Sequence, residues 1–416
     1  MERIIALLCR RVGDILKGEP FSVYIYGSYV LSDMRPGWSD IDVLILTDKP
    51  LSQTWAEALL SLRQSLYAET GDERCLAFEG GITDISSLTL EGDNLSVYWG
   101  TGKERLTKGY APDVFAMHQL FSSGRLVFGS DVREYLPRPG REDILEGVLR
   151  HYGTIRKYVT ETKRSLYSFG WMLDISRCLY TLKKGGLICK TKAALWALEE
   201  GLCPVPDDLI AALEVRRDPA LINFEKYAVL SENMAPFIQS YADVLGTELE
   251  KFKQPKRITI GDDLPVTSRK YRCRGIVCRE GKYLITDQQK VGYCLLPGGG
   301  IEPGESPEEC IVREVSEEAG LIAETGLPYL VLTERYGGEE TVSRFYSVKI
   351  KGTCEKLLTE SEIEKGTVTR WVDKAELTNI FGSYGDHAQT NEDKYRVYLR
   401  EYTGIKAFFD TEGESL

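Results

Sequence analysis

Residues 298–321, GGGIEPGESPEECIVREVSEEAGL, constrain the chain most, because a glycine run leads there into a helix carrying its own start and stop signals. Ser306, Pro307 and Glu309 make a helix start: a serine N-cap, a proline in the first turn, and a glutamate placed to reach back to the cap. Gly320 is placed to end the helix as a left-handed C-cap. Within it Glu314, Glu317 and Glu318 stand at i, i+3 and i+4, so three carboxylates share one face. Bare, such a cluster destabilises a helix, so it implies a divalent cation. Mg2+ or Mn2+, hard cations that take oxygen ligands and bridge phosphates, fit best. Arg313 is turned away from that face, where it can bind Glu305 across the loop and orient the helix start. The competing reading is an acidic solvated helix, since runs such as EVSEE are common on surfaces.

A second acid pair lies near the other end, in IYGSYVLSDMRPGWSDIDVLIL, residues 25–46. Strand side chains alternate, so Asp40 and Asp42 point one way while Ile41 and Val43 point into a core. Two carboxylates this close raise each other's pKa unless a cation sits between them. Upstream, Gly27 and Ser28 close the preceding strand, where a small residue lets backbone N–H groups approach a phosphate and a hydroxyl adds a donor. Phosphate donors followed by paired carboxylates suit metal-assisted nucleotidyl transfer.

Both stretches resemble known families. G-S, eleven residues and D-I-D resemble the signature of the polymerase-beta-like nucleotidyltransferases, and YGSYVLSDMRPGWSDIDVLIL is similar to their streptomycin and spectinomycin adenylyltransferase group. LDISRCLYTLKKGGLICKTKAALWAL, residues 173–198, is similar to that group's second domain, with Arg177, Tyr180, Gly185, Lys190, Ala193 and Trp196 at matching places. The resemblance implies a third acid on a neighbouring strand, for which Asp84 is the candidate as metal ligand or general base and Glu79 the reserve. It also implies that Lys190 contacts the triphosphate of ATP or another NTP. Cys189 departs from the group's usual serine. Gly299, Glu305, Arg313, Glu314, Val315, Glu317, Glu318, Gly320 and Leu321 fill every fixed place of the Nudix box, the motif of hydrolases acting on a nucleoside diphosphate linked to another group. In that family the water-activating base often lies outside the box. Glu360, Glu362 and Glu364 are available, although a surface loop explains them as well.

At 416 residues the chain is too long for one ordinary domain. The expected architecture is α+β multidomain: a nucleotidyltransferase α/β domain over 1–108, an all-helical domain over 109–252 that closes on the nucleotide, a linker over 253–268, and a Nudix α/β/α fold over 269–410. The first helix keeps apolar spacing at positions 4, 5, 8, 12, 15 and 16, which marks an amphipathic helix rather than a signal peptide. TWAEALLSLRQSLYAE reads as one helix, GITDISSLTL as a strand, PDVFAMHQLFSSGRLVFG as helical, and Glu280-Gly281 as a hairpin turn.

The formal net charge of −11 argues against a nucleic-acid partner and suits a cationic small-molecule acceptor. Ten scattered cysteines without a CxxC pair read as reduced thiols of a cytoplasmic protein. No stretch approaches the ~20 apolar residues that span a bilayer. With three histidines, carboxylates carry the chemistry. Two readings follow: a two-site enzyme that moves AMP from ATP to a hydroxyl of an aminoglycoside-like acceptor and hydrolyses a phosphoanhydride, or a Nudix hydrolase with an N-terminal nucleotide-binding sensor that transfers nothing. Trp171 and Asp174 read first as core packing and helix solvation, second as acceptor contacts.

Overall fold

The computed structural model describes residues 1–89, 92–100 and 103–413. It divides into two compact units, Met1–Pro139 with Asp143–Phe252, and Gly140–Glu142 with Lys253–Leu416.

The first unit holds a six-stranded sheet in the order β5-β4-β3-β2-β1-β6. The strands are β1 Phe21–Tyr26, β2 Ile41–Thr47, β3 Phe78–Asp84, β4 Leu95–Trp99, β5 Glu104–Lys108 and β6 Arg125–Phe128. Only β2 and β3 run parallel. Both faces are covered. Ile4, Ile5, Leu8, Val12 and Leu16 of helix Glu2–Leu16 pack with Val23, Ile41, Val43 and Ile45 on one side. Tyr24, Tyr26, Leu44 and Leu46 pack with Met117 and Leu120 of helix Val114–Ser122 on the other. Asp42 is therefore a carboxylate at the end of a buried apolar row. The helical part of this unit includes Leu166–Lys184, Lys190–Glu199, Pro206–Arg217 and Ala235–Leu249.

The second unit holds an eight-stranded arrangement with the path β10-β9-β8-β13-β12-β7, β11 pairing β13 and β14 pairing β9. Its strands are β7 Lys256–Gly261, β8 Ser268–Arg279, β9 Lys282–Gln288, β10 Tyr293–Leu295, β11 Leu321–Thr325, β12 Leu330–Tyr336, β13 Glu339–Thr353 and β14 Thr367–Val372. Helix Pro307–Ala319 buries Cys310, Ile311 and Val315 against Cys273 and Val277 of β8. Helix Glu392–Glu412 buries Ile405, Phe408 and Phe409 with Ile276, Leu330, Leu332 and Phe345. Two layers of helix around a sheet satisfy the apolar faces of all three.

Four expectations change. Residues 125–128, read as helical, form β6 on the edge of the first sheet. GITDISSLTL is half strand and half helix, because Asp84 caps the turn Ile85–Thr89. TWAEALLSLRQSLYAE is two helices, Gln53–Leu60 and Leu62–Thr70. The stretch read as linker contains β7, which pairs in parallel with β12 and turns Ile258 and Ile260 onto the core. No helix among the described residues is long and apolar enough to cross a membrane. The cysteines are free thiols, with only Cys278 and Cys354 exposed.

Candidate active sites

In the first unit, β1 and β2 bring Gly27 and Asp42 together. Tyr26 pairs with Asp42, and Gly27 follows at once with φ 69°. A Cβ on Gly27 would stand 1.8 Å from Asp42 Oδ2, so only glycine lets the carboxylate lie against the backbone. Ser28 Oγ donates to the Asp40 carbonyl at 3.4 Å, tying the turn to the start of β2. Gly27→Ala is expected to cost about 2 kcal/mol from the backbone conformation alone. It should also displace Asp42, lowering the rate of nucleotide transfer at least ~100-fold. A thermal melt and a transfer assay on the same preparation check both effects; an unchanged rate would contradict the packing argument.

The acid that β3 sets beside Asp42 is Glu79, and Asp84, the candidate read from the sequence, lies elsewhere. In the parallel β2–β3 register Asp42 pairs with Glu79 and Thr47 with Asp84, which places Asp84 roughly 16 Å further along the strand. The Asp84 carboxyl is fully buried and already satisfied by Ser86, the Ser87 amide and hydroxyl, and Asn94. Burial pushes it up, but these donors outweigh that and hold it below the usual range. Asp84 is a cap inside the fold. Glu79 accepts from Tyr98 Oη at 3.1 Å. Burial, and after it the like charge of Glu79, pushes Asp42 up to about 7.

Asp40 and Asp42 line a cavity of about 590 Å³ together with Asp113, Trp171, Asp174 and Lys190. Asp113 caps helix Val114–Ser122, accepting from the Ala116 amide at 2.8 Å, and the helix that covers the sheet thereby delivers a further carboxylate. Asp174 is not a solvated helix residue. It is bound by Lys190 at 3.0 Å and Arg177 at 3.0 Å. Burial raises its pKa, but Lys190 and Arg177 overcome this and keep it low. Lys190 opens helix Lys190–Glu199, where Cys189 makes no side-chain cap bond. A cation at that end opposes the helix dipole, and Asp174 offsets it. Asp33, buried at 2% exposure, accepts from Thr191 and Arg216, the latter at 3.0 Å, and so anchors the helices beside β1 and β2. Asp33, Asp113 and Arg216 carry no local sequence signal of this role.

In the second unit the helix signals have their physical counterparts. Ser306 and Glu309 form a full capping box, and Gly320 ends the helix at φ 67°. Arg313 Nε donates to Glu305 at 2.8 Å, while Nη1 donates to Glu314 at 3.1 Å and Glu317 at 3.0 Å. A Cβ on Gly299 would stand 2.2 Å from Glu314 Oε1, so the loop passes against the carboxylate. Glu317 leans to Arg313. Glu314 and Glu318 instead meet Glu362, from helix Glu360–Lys365, with one oxygen of each within 4.8 Å of the others. Thr359 N-caps that helix, and Glu362 at its third position reaches back to accept from the Thr359 amide and hydroxyl, which aims it. Glu318 accepts from Thr286 Oγ1 and the Gly298 amide, both at 3.1 Å. Burial and then Glu314 push its pKa up to about 8.

Three converging carboxylate oxygens fit Mg2+ or Mn2+ in chemistry and spacing. The raised acids set a sign. Glu318 and Asp42 hold protons in the cation-free fold up to about pH 8 and 7, whereas unfolded carboxyls ionise near ~4. The contribution of these two acids to the stability of the cation-free fold is therefore greatest below ~4 and is lost as pH rises to those values. A cation displaces the protons, so its affinity should rise about tenfold per pH unit for each proton released. The melting-temperature gain from saturating Mg2+ is expected to be larger at pH 8.5 than at pH 6. Equal gains would contradict the assignment.

The family models agree with this division. The model described as a nucleotidyltransferase domain matches residues 2–87, and the model described as a NUDIX domain matches residues 270–396. Nudix hydrolase 4 of Arabidopsis thaliana is 27% identical over 140 residues, 32% of this chain and 64% of that protein. A putative 8-oxo-dGTP diphosphatase of Bacillus subtilis is 40% identical over 68 residues, 16% of this chain and 42% of its own. The chain thus spans less than two thirds of either relative. A solved spectinomycin adenyltransferase from Enterococcus, with ATP and spectinomycin, covers 59% of this chain and 98% of its own at 18% identity and TM-score 0.44. A NUDIX hydrolase from Nitrosomonas europaea covers 36% and 93% at 18% identity and TM-score 0.28. The chain carries a nucleotidyltransferase domain at its N-terminal end and a NUDIX domain at its C-terminal end.

Proposed function

We propose that the protein is a two-site enzyme. Its first unit transfers AMP from ATP to a hydroxyl of a small cationic acceptor of the aminoglycoside type, with release of pyrophosphate, and its second hydrolyses a nucleoside diphosphate derivative. The observation that carries the transfer reading is the convergence of Asp40, Asp42, Asp113 and Asp174 with Lys190 on one cavity. Asp40 and Asp42 would hold the divalent cation, which supplies charge neutralisation at the phosphates. Gly27, Ser28 and Lys190 would bind the triphosphate, Lys190 leaving Asp174 to do so. Glu79 would take the proton of the acceptor hydroxyl as its oxygen bonds to the α-phosphorus and the bond to pyrophosphate breaks. Asp113 and Asp174 would face the acceptor's ammonium groups.

In the second unit Glu314, Glu318 and Glu362 would hold the cation, with Arg313 fixing the loop and keeping Glu317 at the rim. The deciding experiment incubates the full-length protein with ATP, Mg2+ and a panel of aminoglycosides and follows acceptor mass. A gain of one AMP is expected. Binding of ATP without a mass gain on any acceptor would replace transfer by the sensor reading.

A further inference from the structure

The acids of the first unit are backed by a tyrosine that the transfer reading leaves unused. Glu79 and Gly81 lie on one face of β3, the face that carries Asp42 on β2. On β4 Tyr98 pairs with Gly81, and on β5 Arg105 pairs with Tyr98. Paired residues share a face, so Asp42, Glu79, Tyr98 and Arg105 form one row across four strands. Glu79, two residues from Gly81, is the diagonal neighbour of Tyr98, a separation of roughly 7–8 Å that only a long side chain closes. Tyr98 closes it, its Oη donating to Glu79 Oε1 at 3.1 Å.

The tyrosine itself has little freedom. A Cβ on Gly81 would stand 2.0 Å from Tyr110 Cε1, so the glycine opens a slot in the sheet face that the Tyr110 ring fills. From there Tyr110 stacks on Tyr98, with ring centroids 5.7 Å apart and planes inclined by 29°. From the β5 side the Arg105 guanidinium stands over the Tyr98 ring at 4.4 Å. Packed from both neighbouring strands, the half-exposed ring keeps its place, and its hydroxyl stays on Glu79.

Such a support has a chemical use. A glutamate side chain has three rotatable bonds, and a base has to be held within hydrogen-bond reach of the proton it takes. Bound at Oε1 by Tyr98, the carboxylate keeps one orientation beside Asp42. The acceptor proton passes to it as the acceptor oxygen bonds to the α-phosphorus and the bond to pyrophosphate breaks. Loss of the phenol hydroxyl would free that orientation without removing the charge.

We propose that Tyr98, set in place by Tyr110 and Arg105, is a positioning residue that fixes Glu79 for proton transfer, an inference that rests on the transfer reading. Full-length wild type, Tyr98→Phe, Tyr98→Leu, Glu79→Gln and the double variant of Tyr98→Phe with Glu79→Gln are assayed with ATP, Mg2+ and the aminoglycoside panel. Tyr98→Phe keeps the ring, so it should melt within about 2 °C of wild type. Its kcat should fall about 10- to 100-fold while KM for ATP stays within about twofold. Tyr98→Leu should melt lower and lose at most a few-fold more rate, so that rate follows the hydroxyl and stability follows the ring. Glu79→Gln should fall at least ~100-fold. Adding Tyr98→Phe to it should cost less than about twofold more, because a residue that acts through Glu79 has nothing left to act on. A Tyr98→Phe rate equal to wild type, a loss carried by KM, or a full further loss in the Glu79→Gln background would overturn the positioning role and leave the transfer reading standing. A fully active Glu79→Gln would overturn the base assignment and the role of Tyr98 together. No mass gain with wild type on any acceptor would overturn the transfer reading and this inference with it.

Discussion

Asp42→Asn is expected to lower nucleotide transfer by at least ~1,000-fold in kcat and to leave phosphoanhydride hydrolysis within about twofold of wild type. The side chain is a half-buried acid at the end of an apolar row, held against Gly27 and level with Glu79. Asparagine keeps its shape and removes its charge. The same substitution should stabilise the cation-free protein at pH 8, because a carboxyl raised to about 7 carries a penalty there that a neutral amide lacks. The gain is on the order of 2 kcal/mol, the pattern of a site that gives up stability for function. Paired transfer assays and melts in chelator check this. Retained transfer would refute the assignment of the first site, whereas lost transfer with lost stability would reduce Asp42 to a structural residue.

Glu318→Gln is expected to do the reverse: hydrolysis falls at least ~1,000-fold and transfer stays within about twofold. Glutamine can keep one oxygen toward the Gly298 amide and Thr286 Oγ1, so the loop should survive. What is lost is the charge that converges with Glu314 and Glu362. The protection that Mg2+ gives the second unit against heat should fall with it. Should hydrolysis persist, the cluster is a solvated acidic helix after all. Together the two variants make a crossed pair that no general loss of folding can imitate.

What the sequence revealed, and what it hid, follows from the range of each interaction. The capping box of Ser306 and Glu309, the Gly320 C-cap and the Arg313–Glu305 pair are legible because they close within one loop and one helix. Gly27 is legible because a turn and a strand announce it. Which acid stands beside Asp42 is hidden because Glu79 and Asp84 share one strand, and only the register of β3 on β2 decides between them. Parallel register is set by packing on both faces of the sheet, not by local residues. Glu362 is hidden for a related reason: it lies far beyond the box and arrives through a capping box of its own. Asp113 carries the signal of an ordinary N-cap, and nothing local tells that the capped end faces a cavity. β7 left a trace in the alternation of RITI, residues 257–260, outweighed by the glycine, prolines and charges around it.

Anomalous diffraction from full-length crystals grown with Mn2+ and a nonhydrolysable ATP analogue tests most directly whether two carboxylate sets each hold a cation. The expected result is manganese within about 2.2 Å of oxygens of Asp40 and Asp42, and a separate manganese among Glu314, Glu318 and Glu362. Manganese elsewhere, with Asp40 and Asp42 turned to solvent and the box glutamates bound only to Arg313, would contradict it.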